Sequence, residues 1–203
     1  MRTAAVLVTC VLAAVAAQSA RADGDPASDY LLGQKIFLPY DAKFQPQQAA
    51  ELTGLIDEAN KAGFKIRVAI LWSDYDMGSV TALWRKPRTY ARFLGLELSF
   101  VYRQRLLIVM PNGFGFNWPK HPAASEYALL DKIPIPPGAP GLLTAAKAAV
   151  TKLAAASGVK VAAPGHVTTP AQRNAHDREV IIAAVLAALA LAAGARYLLR
   201  RRR

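Results

Sequence analysis

Two aspartates stand one residue apart in the stretch Trp72-Ser73-Asp74-Tyr75-Asp76-Met77-Gly78. Carboxylates at that spacing can both face a hard cation such as Ca²⁺, and Gly78 permits a tight backbone turn beside them. They follow an apolar run, Phe64 to Leu71, that reads as a strand. In parallel α/β sheets, ligands bind outside the carboxyl ends of the strands. Asp74 and Asp76 are therefore candidate metal ligands, with Asn112 expected on the same rim beyond the next strand. A cation held there would correspond to weak metal-assisted phosphatase chemistry. The competing reading is a solvated loop whose acids stabilise the positive start of a helix.

A second candidate is basic and aromatic. Trp84, Arg85, Lys86, Arg88, Tyr90 and Arg92 form a dense cationic stretch, and Arg103 and Arg105 extend it. Such a group could meet anionic lipid, a polyanionic envelope polymer or a phosphorylated ligand. The competing reading is a solvated helix face paired with Glu97 and other acids. Phe114, Phe116 and Trp118 alternate at period two and share one side of a strand, either inside the core or as an open partner-binding patch.

Other chemistries lack their residues. His121, His166 and His176 have no ligand-like spacing, and no Gly-x-Ser-x-Gly, phosphate-binding loop or His-Glu-x-x-His is present. Cys10, the single cysteine, falls in a leader, so the exported chain has neither a disulfide nor a thiol nucleophile.

The elements that position these groups are legible from periodicity. Gln45 to Ala62 is predicted as a helix, with Pro46 in its first turn and Ala49, Leu52, Ile56 and Ala59 on one face. Gly63 ends it. Phe64, Ile66, Val68 and Ile70 then line one face of a strand, and Ala69 and Leu71 make the other face apolar, which calls for helices above and below. Ser79 is expected to cap a helical region that breaks near Lys86 and restarts at Pro87. Arg105 to Met110 is a central strand, parallel to the first because a helix separates them. Pro111-Asn112-Gly113 is a turn that returns Phe114 to Trp118 antiparallel. Thr144 to Ala156 forms a late Ala-rich helix. The predicted class is α/β: a three-layer sandwich with a small mixed sheet flanked by helices, plus one C-terminal transmembrane helix.

Both ends of the chain point to a membrane. Residues 1–22 carry Arg2, an apolar run of about 14 residues and an Ala20-Arg21-Ala22 cleavage site, the three parts of a secretory signal. Val180 to Ala195 contains no charge, and residues 179–199 are long enough to span a bilayer core. Arg200 to Arg203 form a basic cytoplasmic tail that sets the same topology as the signal. Residues 158–178, rich in proline and glycine, read as a flexible linker, leaving 23–157 as the extracytoplasmic domain with regular elements from about Asp29. The formal charge of +11 reflects this targeting. Arg2, Arg21, Arg196 and Arg200 to Arg203 account for seven of 25 basic residues, leaving 18 against 14 acidic ones. Nucleic acid is not an expected partner.

The order of these elements resembles the TPM-domain family over roughly Phe37 to Ser157. The helix QPQQAAELTGLIDEANKAG, the strand FKIRVAIL, a helical stretch, the strand RLLIVM and the return GFGFNW follow one another as in that family, with Gly113 and Gly115 where it places glycines. The resemblance implies a signal peptide, an extracytoplasmic α/β domain and a C-terminal transmembrane segment. Family members are associated with photosystem repair and weak acid-phosphatase activity, and neither role transfers to named residues of this chain. The expectation is a single-pass type I bacterial membrane protein that acts as a binding or assembly module of the envelope. Its partners would be the membrane and another envelope protein or anionic polymer.

Overall fold

A computed structural model of the chain describes residues 24–165 and, singly, 169, 174, 178 and 181. The predicted signal peptide, transmembrane helix and basic tail lie outside these residues, save for position 181. Among the described residues no helix is long and apolar enough to cross a membrane.

The domain is α/β with a four-stranded mixed sheet. Its elements in chain order are α1 (Pro26–Gly33), β1 (Ile36–Phe37), α2 (Pro46–Lys61), β2 (Ile66–Ile70), α3 (Pro87–Glu97), β3 (Arg105–Met110), β4 (Gly113–Asn117), α4 (Ala124–Leu130) and α5 (Ala139–Ala156). The strands lie in the order β1-β2-β3-β4. The first three run parallel and β4 returns antiparallel through the two-residue turn Pro111-Asn112.

Register explains the layers. Ile36, Val68, Leu107 and Phe116 align across the sheet, and all four belong to the core shared with α2 and α5. One position along, Phe37, Ala69 and Ile108 join the core on the opposite face, with α1 and α3. The row continues to Gly115. A side chain there would overlap the Pro87 carbonyl and come within 2.9 Å of the Ala91 Cβ, so the missing side chain lets α3 approach β4. Phe114 and Phe116 are buried in the first core and Trp118 packs against it, which places the alternating aromatics inside the protein.

Local chemistry ends and joins these elements. Gly63 adopts a left-handed conformation (φ 94°), and the following Phe64 amide donates to the Ala59 carbonyl at 2.9 Å, closing α2. Buried Asn60 couples that helix to the next strand. Its Nδ2 donates to the carbonyls of Ile56 and Ile66 at 2.8 and 2.9 Å, and its Oδ1 accepts from the Ile66 amide. On β4, the edge strand, the Phe116 amide donates to the Tyr127 hydroxyl at 2.9 Å, which in turn donates to the Phe116 carbonyl at 3.0 Å. One phenol thus satisfies main-chain groups that would otherwise invite another strand.

Several boundaries differ from expectation. Ser73 rather than Ser79 caps the region after β2, and that region, Asp74–Leu83, is 3₁₀ with a break at Gly78 (φ 54°). The late helix starts five residues early, at Ala139, because Pro140 suits a first turn. Val159 and Val161 pack on the core, so the chain leaves the domain later than Ser157.

Gly115→Ala is expected to lower the unfolding free energy by about 1–3 kcal/mol or more, read from urea denaturation, because its methyl meets backbone that cannot yield. Gly95→Ala should cost less. Its methyl meets only the tip of the Asn117 side chain, and alanine gains up to about 1 kcal/mol of helix propensity. Equal losses at the two sites would contradict this account of how α3 seats.

Candidate functional site

Three adjoining depressions open along the carboxyl end of the parallel strands. The first, of about 410 Å³, is lined by Lys86, Pro87, Arg88, Thr89, Asn112 and Asp131, among others. The second shares Asn112, Gly113, Phe114 and Asp131 and continues to Ile133 and Ile135. The third lies between Trp72, Pro111 and the Pro136–Gly138 segment. This is the end at which ligand sites of α/β sheets are built.

Asn112 organises the rim. Its side-chain amide donates to the Arg85 carbonyl at 2.7 Å, tying the β3–β4 turn to the loop before α3. Arg85 is exposed and holds a left-handed conformation (φ 58°), which costs a non-glycine residue about 1–3 kcal/mol and persists only where the surroundings hold it. Lys86 is exposed beside it, its ammonium donating to the Ala82 carbonyl at 3.0 Å at the end of the 3₁₀ segment. The structure therefore brings Arg85, Lys86, Arg88 and Asn112 together. Arg92 lies farther along the exposed side of α3.

Arg88 has local partners. Its guanidinium donates to both carboxylate oxygens of Asp131, at 2.9 and 2.8 Å, and sits 4.2 Å from the centre of the Tyr127 ring. Trp84 is half-buried against the core that contains α3. Two further arginines of the domain stack similarly: Arg67 over Tyr102, and Arg105 against Trp118 and Phe64.

Tyr90 must be withdrawn from the expected contact surface. It is fully buried, and its hydroxyl donates to the carboxylate of Asp25, lying 2.7 and 2.8 Å from its two oxygens. The helical spacing that put Tyr90 beside the arginines places it on the inward side of α3. Asp25, which caps α1 by accepting from the Ala27 amide, is its reason for being there.

Asp74 and Asp76 do not form a cation cage. The Asp76 Oδ2 accepts from the amides of Trp72 and Ser73, each at 2.7 Å, which commits that oxygen to the start of the 3₁₀ segment. Ser73 and Asp76 form a reciprocal capping box, and Asp74 is exposed. Neither aspartate lines the three depressions beside Asn112. Among the described residues, no group of three or more His, Cys, Asp or Glu side chains could hold a metal ion.

The sequence reading passed over Asp25, Asn60, Tyr127 and Asp131. Asp25-Pro26 carries a usable signal, since aspartate followed by proline marks a helix start. The other three act through contacts that only the folded chain creates. No family model, curated protein or solved structure matches this chain. The TPM resemblance therefore rests on the order of elements.

Burial raises the Asp25 carboxyl from 3.8 to about 6, against the lowering effect of the Tyr90 hydroxyl and the Ala27 amide, and with smaller raising contributions from Asp29 and Glu97. A folded state that holds this proton more tightly than the unfolded chain loses stability as pH rises from about 4 to about 6, then levels off. For Asp25 alone the loss is up to about 3 kcal/mol. Urea midpoints taken between pH 4 and 8 should show that decline in the natural chain and a flatter profile in Asp25→Asn, which still offers Tyr90 an acceptor. Parallel profiles would refute the assignment.

Proposed function

We propose that this chain is a single-pass membrane protein that displays its α/β domain outside the cytoplasm. There it serves as a non-catalytic binding or assembly module of the bacterial envelope. The anionic partner, another envelope protein or an acidic polymer, is engaged along the carboxyl end of the sheet. The observation that carries this reading is the outward pair Arg85 and Lys86, held at the lip of a depression by the Asn112 bond to the Arg85 carbonyl. Arg88 contributes less to such a partner, because the Tyr127 ring and Asp131 already occupy its guanidinium group, and Arg105 lies at the opposite, amino end of the sheet.

The topology is supported from both ends of the sequence. A leader with a small-residue cleavage site precedes the domain, and a charge-free apolar stretch followed by four arginines comes after it. The TPM resemblance implies the same arrangement. Weak hydrolase chemistry through Asp74 and Asp76 gains no support, since Asp76 is engaged with backbone amides.

Two measurements test the two halves of this reading. In cells whose outer layer has been permeabilised, externally added protease should cut within residues 158–178 and release the domain. Protection of the intact chain would reverse the topology. In the same cells, cross-linking followed by purification should recover a partner whose yield falls about tenfold in the Arg85→Glu, Lys86→Glu double variant and in raised salt, as expected when two exposed cations drive association. Unchanged recovery from a stably folded double variant would remove the rim as the contact surface.

A further inference from the structure

The opposite end of the sheet has a different surface. Beyond α3 the chain makes a 3₁₀ turn, Leu98–Phe100, where Phe100 is 92% exposed, with Leu96 at 71% and Val101 at 58%. Tyr90, Ala91, Leu94 and Gly95 are the buried positions of α3. Arg92 and Leu96, four residues apart, consequently lie on its outward side, and the same line leads to Phe100. Arg103 folds back onto the turn, its Nε donating to the Ser99 carbonyl at 2.8 Å, which sets a second guanidinium beside the apolar tip. Arg67 reinforces the region by donating to the Leu31 carbonyl while stacked on the Tyr102 ring.

The direction of α5 places the end of that helix at this same end of the sheet. Helix α5 begins beside Trp72 and Pro111, residues just past the carboxyl ends of β2 and β3. Its 18 residues then run about 27 Å, longer than either strand, toward the amino end of the sheet. Val101 and Arg103 immediately precede the first residue of β3 and occupy that amino end. Helix α5 thus finishes at the end that carries Leu96, Phe100 and Val101, and the chain beyond it still packs Val159 and Val161 on the core.

We propose that Leu96, Phe100 and Val101, flanked by Arg92 and Arg103, dock the domain on the anionic lipid bilayer that holds its tail. Exposed aromatic and aliphatic side chains enter the boundary between headgroups and acyl chains, and adjacent guanidinium groups meet lipid phosphates. The charge-free stretch Val180 to Ala195, and the four arginines after it, make a bilayer the surface closest to the departing chain. Docking in this orientation turns the Arg85–Lys86 rim away from the lipid. The inference deepens the anchored reading above and rests on it.

The test uses the chain from Asp23 to Arg203, which lacks Cys10, reconstituted into vesicles of phosphatidylcholine and phosphatidylglycerol. A fluorophore is attached through Gln104→Cys, exposed beside the patch, or Tyr75→Cys, 86% exposed beyond the carboxyl end of β2. Nitroxide lipids should quench the dye at position 104 about threefold more than at 75, and the contrast should shrink in pure phosphatidylcholine. Leu96→Glu with Phe100→Glu should reduce quenching at 104 to the level at 75 while the chain still floats with the vesicles. Equal quenching at both positions in a floating chain overturns the docking and leaves the anchor standing. A chain washed off by alkaline carbonate overturns the anchor and the docking with it. Pyrene excimer emission from position 104 without lipid quenching would assign the patch to a second copy instead.

Discussion

At Gly115 the sheet carries no Cβ, and the carbonyl of Pro87 occupies the place where one would be. That approach seats α3 on β4 and decides the arrangement of both ends of the molecule. Because the helix starts at Pro87 against the hairpin, Arg85 and Lys86 stand at the carboxyl rim, within reach of the Asn112 side chain. Because it runs eleven residues from there, Leu96 and the Phe100 turn arrive at the amino end. Burial on the inner side is continuous, from Tyr90 through Leu94 to Leu98. A shift of α3 by one turn would break the Pro87–Gly115 fit and displace the two surfaces together.

Charge in this domain is spent unevenly. Arg67, Arg88 and Arg105 lie on aromatic faces, 4.1 Å from Tyr102, 4.2 Å from Tyr127 and 3.8 Å from Trp118 respectively. Such contacts contribute about 0.5–2 kcal/mol according to how far the cation is desolvated, and they hold long side chains in place. Burial also lowers the Arg67 and Arg105 guanidinium pKa values, consistent with a packing role. Arg88 is nevertheless exposed, as are Arg85, Lys86, Arg92 and Arg103. Counting basic residues along the chain does not distinguish the two groups, whereas their contacts do.

How much of this was legible in the sequence follows from what each signal reports. Period-two and period-3.6 patterns report burial, so β2, β3, the β4 return and α2 were recovered nearly to the residue, along with parallel pairing and aromatics turned inward. Short elements at the beginning were not recovered. With two residues, β1 has no period to read, and the eight residues of α1 hold only Ala27 and Leu31 in the core. Among the site residues, the cluster of Arg85, Lys86 and Arg88 was visible as a run of cations, but a run cannot show which side of a helix faces inward. Tyr90 was misplaced for that reason. The Asp74–Asp76 pair had two chemically sound readings, and Ser73, one residue upstream, tipped the local geometry toward a cap.

The two ends of an α/β sheet have different tasks by construction. Connections from strand to helix lie at the carboxyl end, where Trp72 to Lys86 and Pro111-Asn112 form the rim and Met77 anchors the longer one in the core shared with α1 and α3. Connections back from helix to strand lie at the amino end, and in this chain Gly63 and the 3₁₀ turn at Leu98 make them compact. Helix α5, which starts at the carboxyl end, finishes at the amino end, and Val159 and Val161 then pack back on the core. The apolar Phe100 turn and the polar Arg85 rim follow the same division, one at the amino end of the sheet and the other at the carboxyl end.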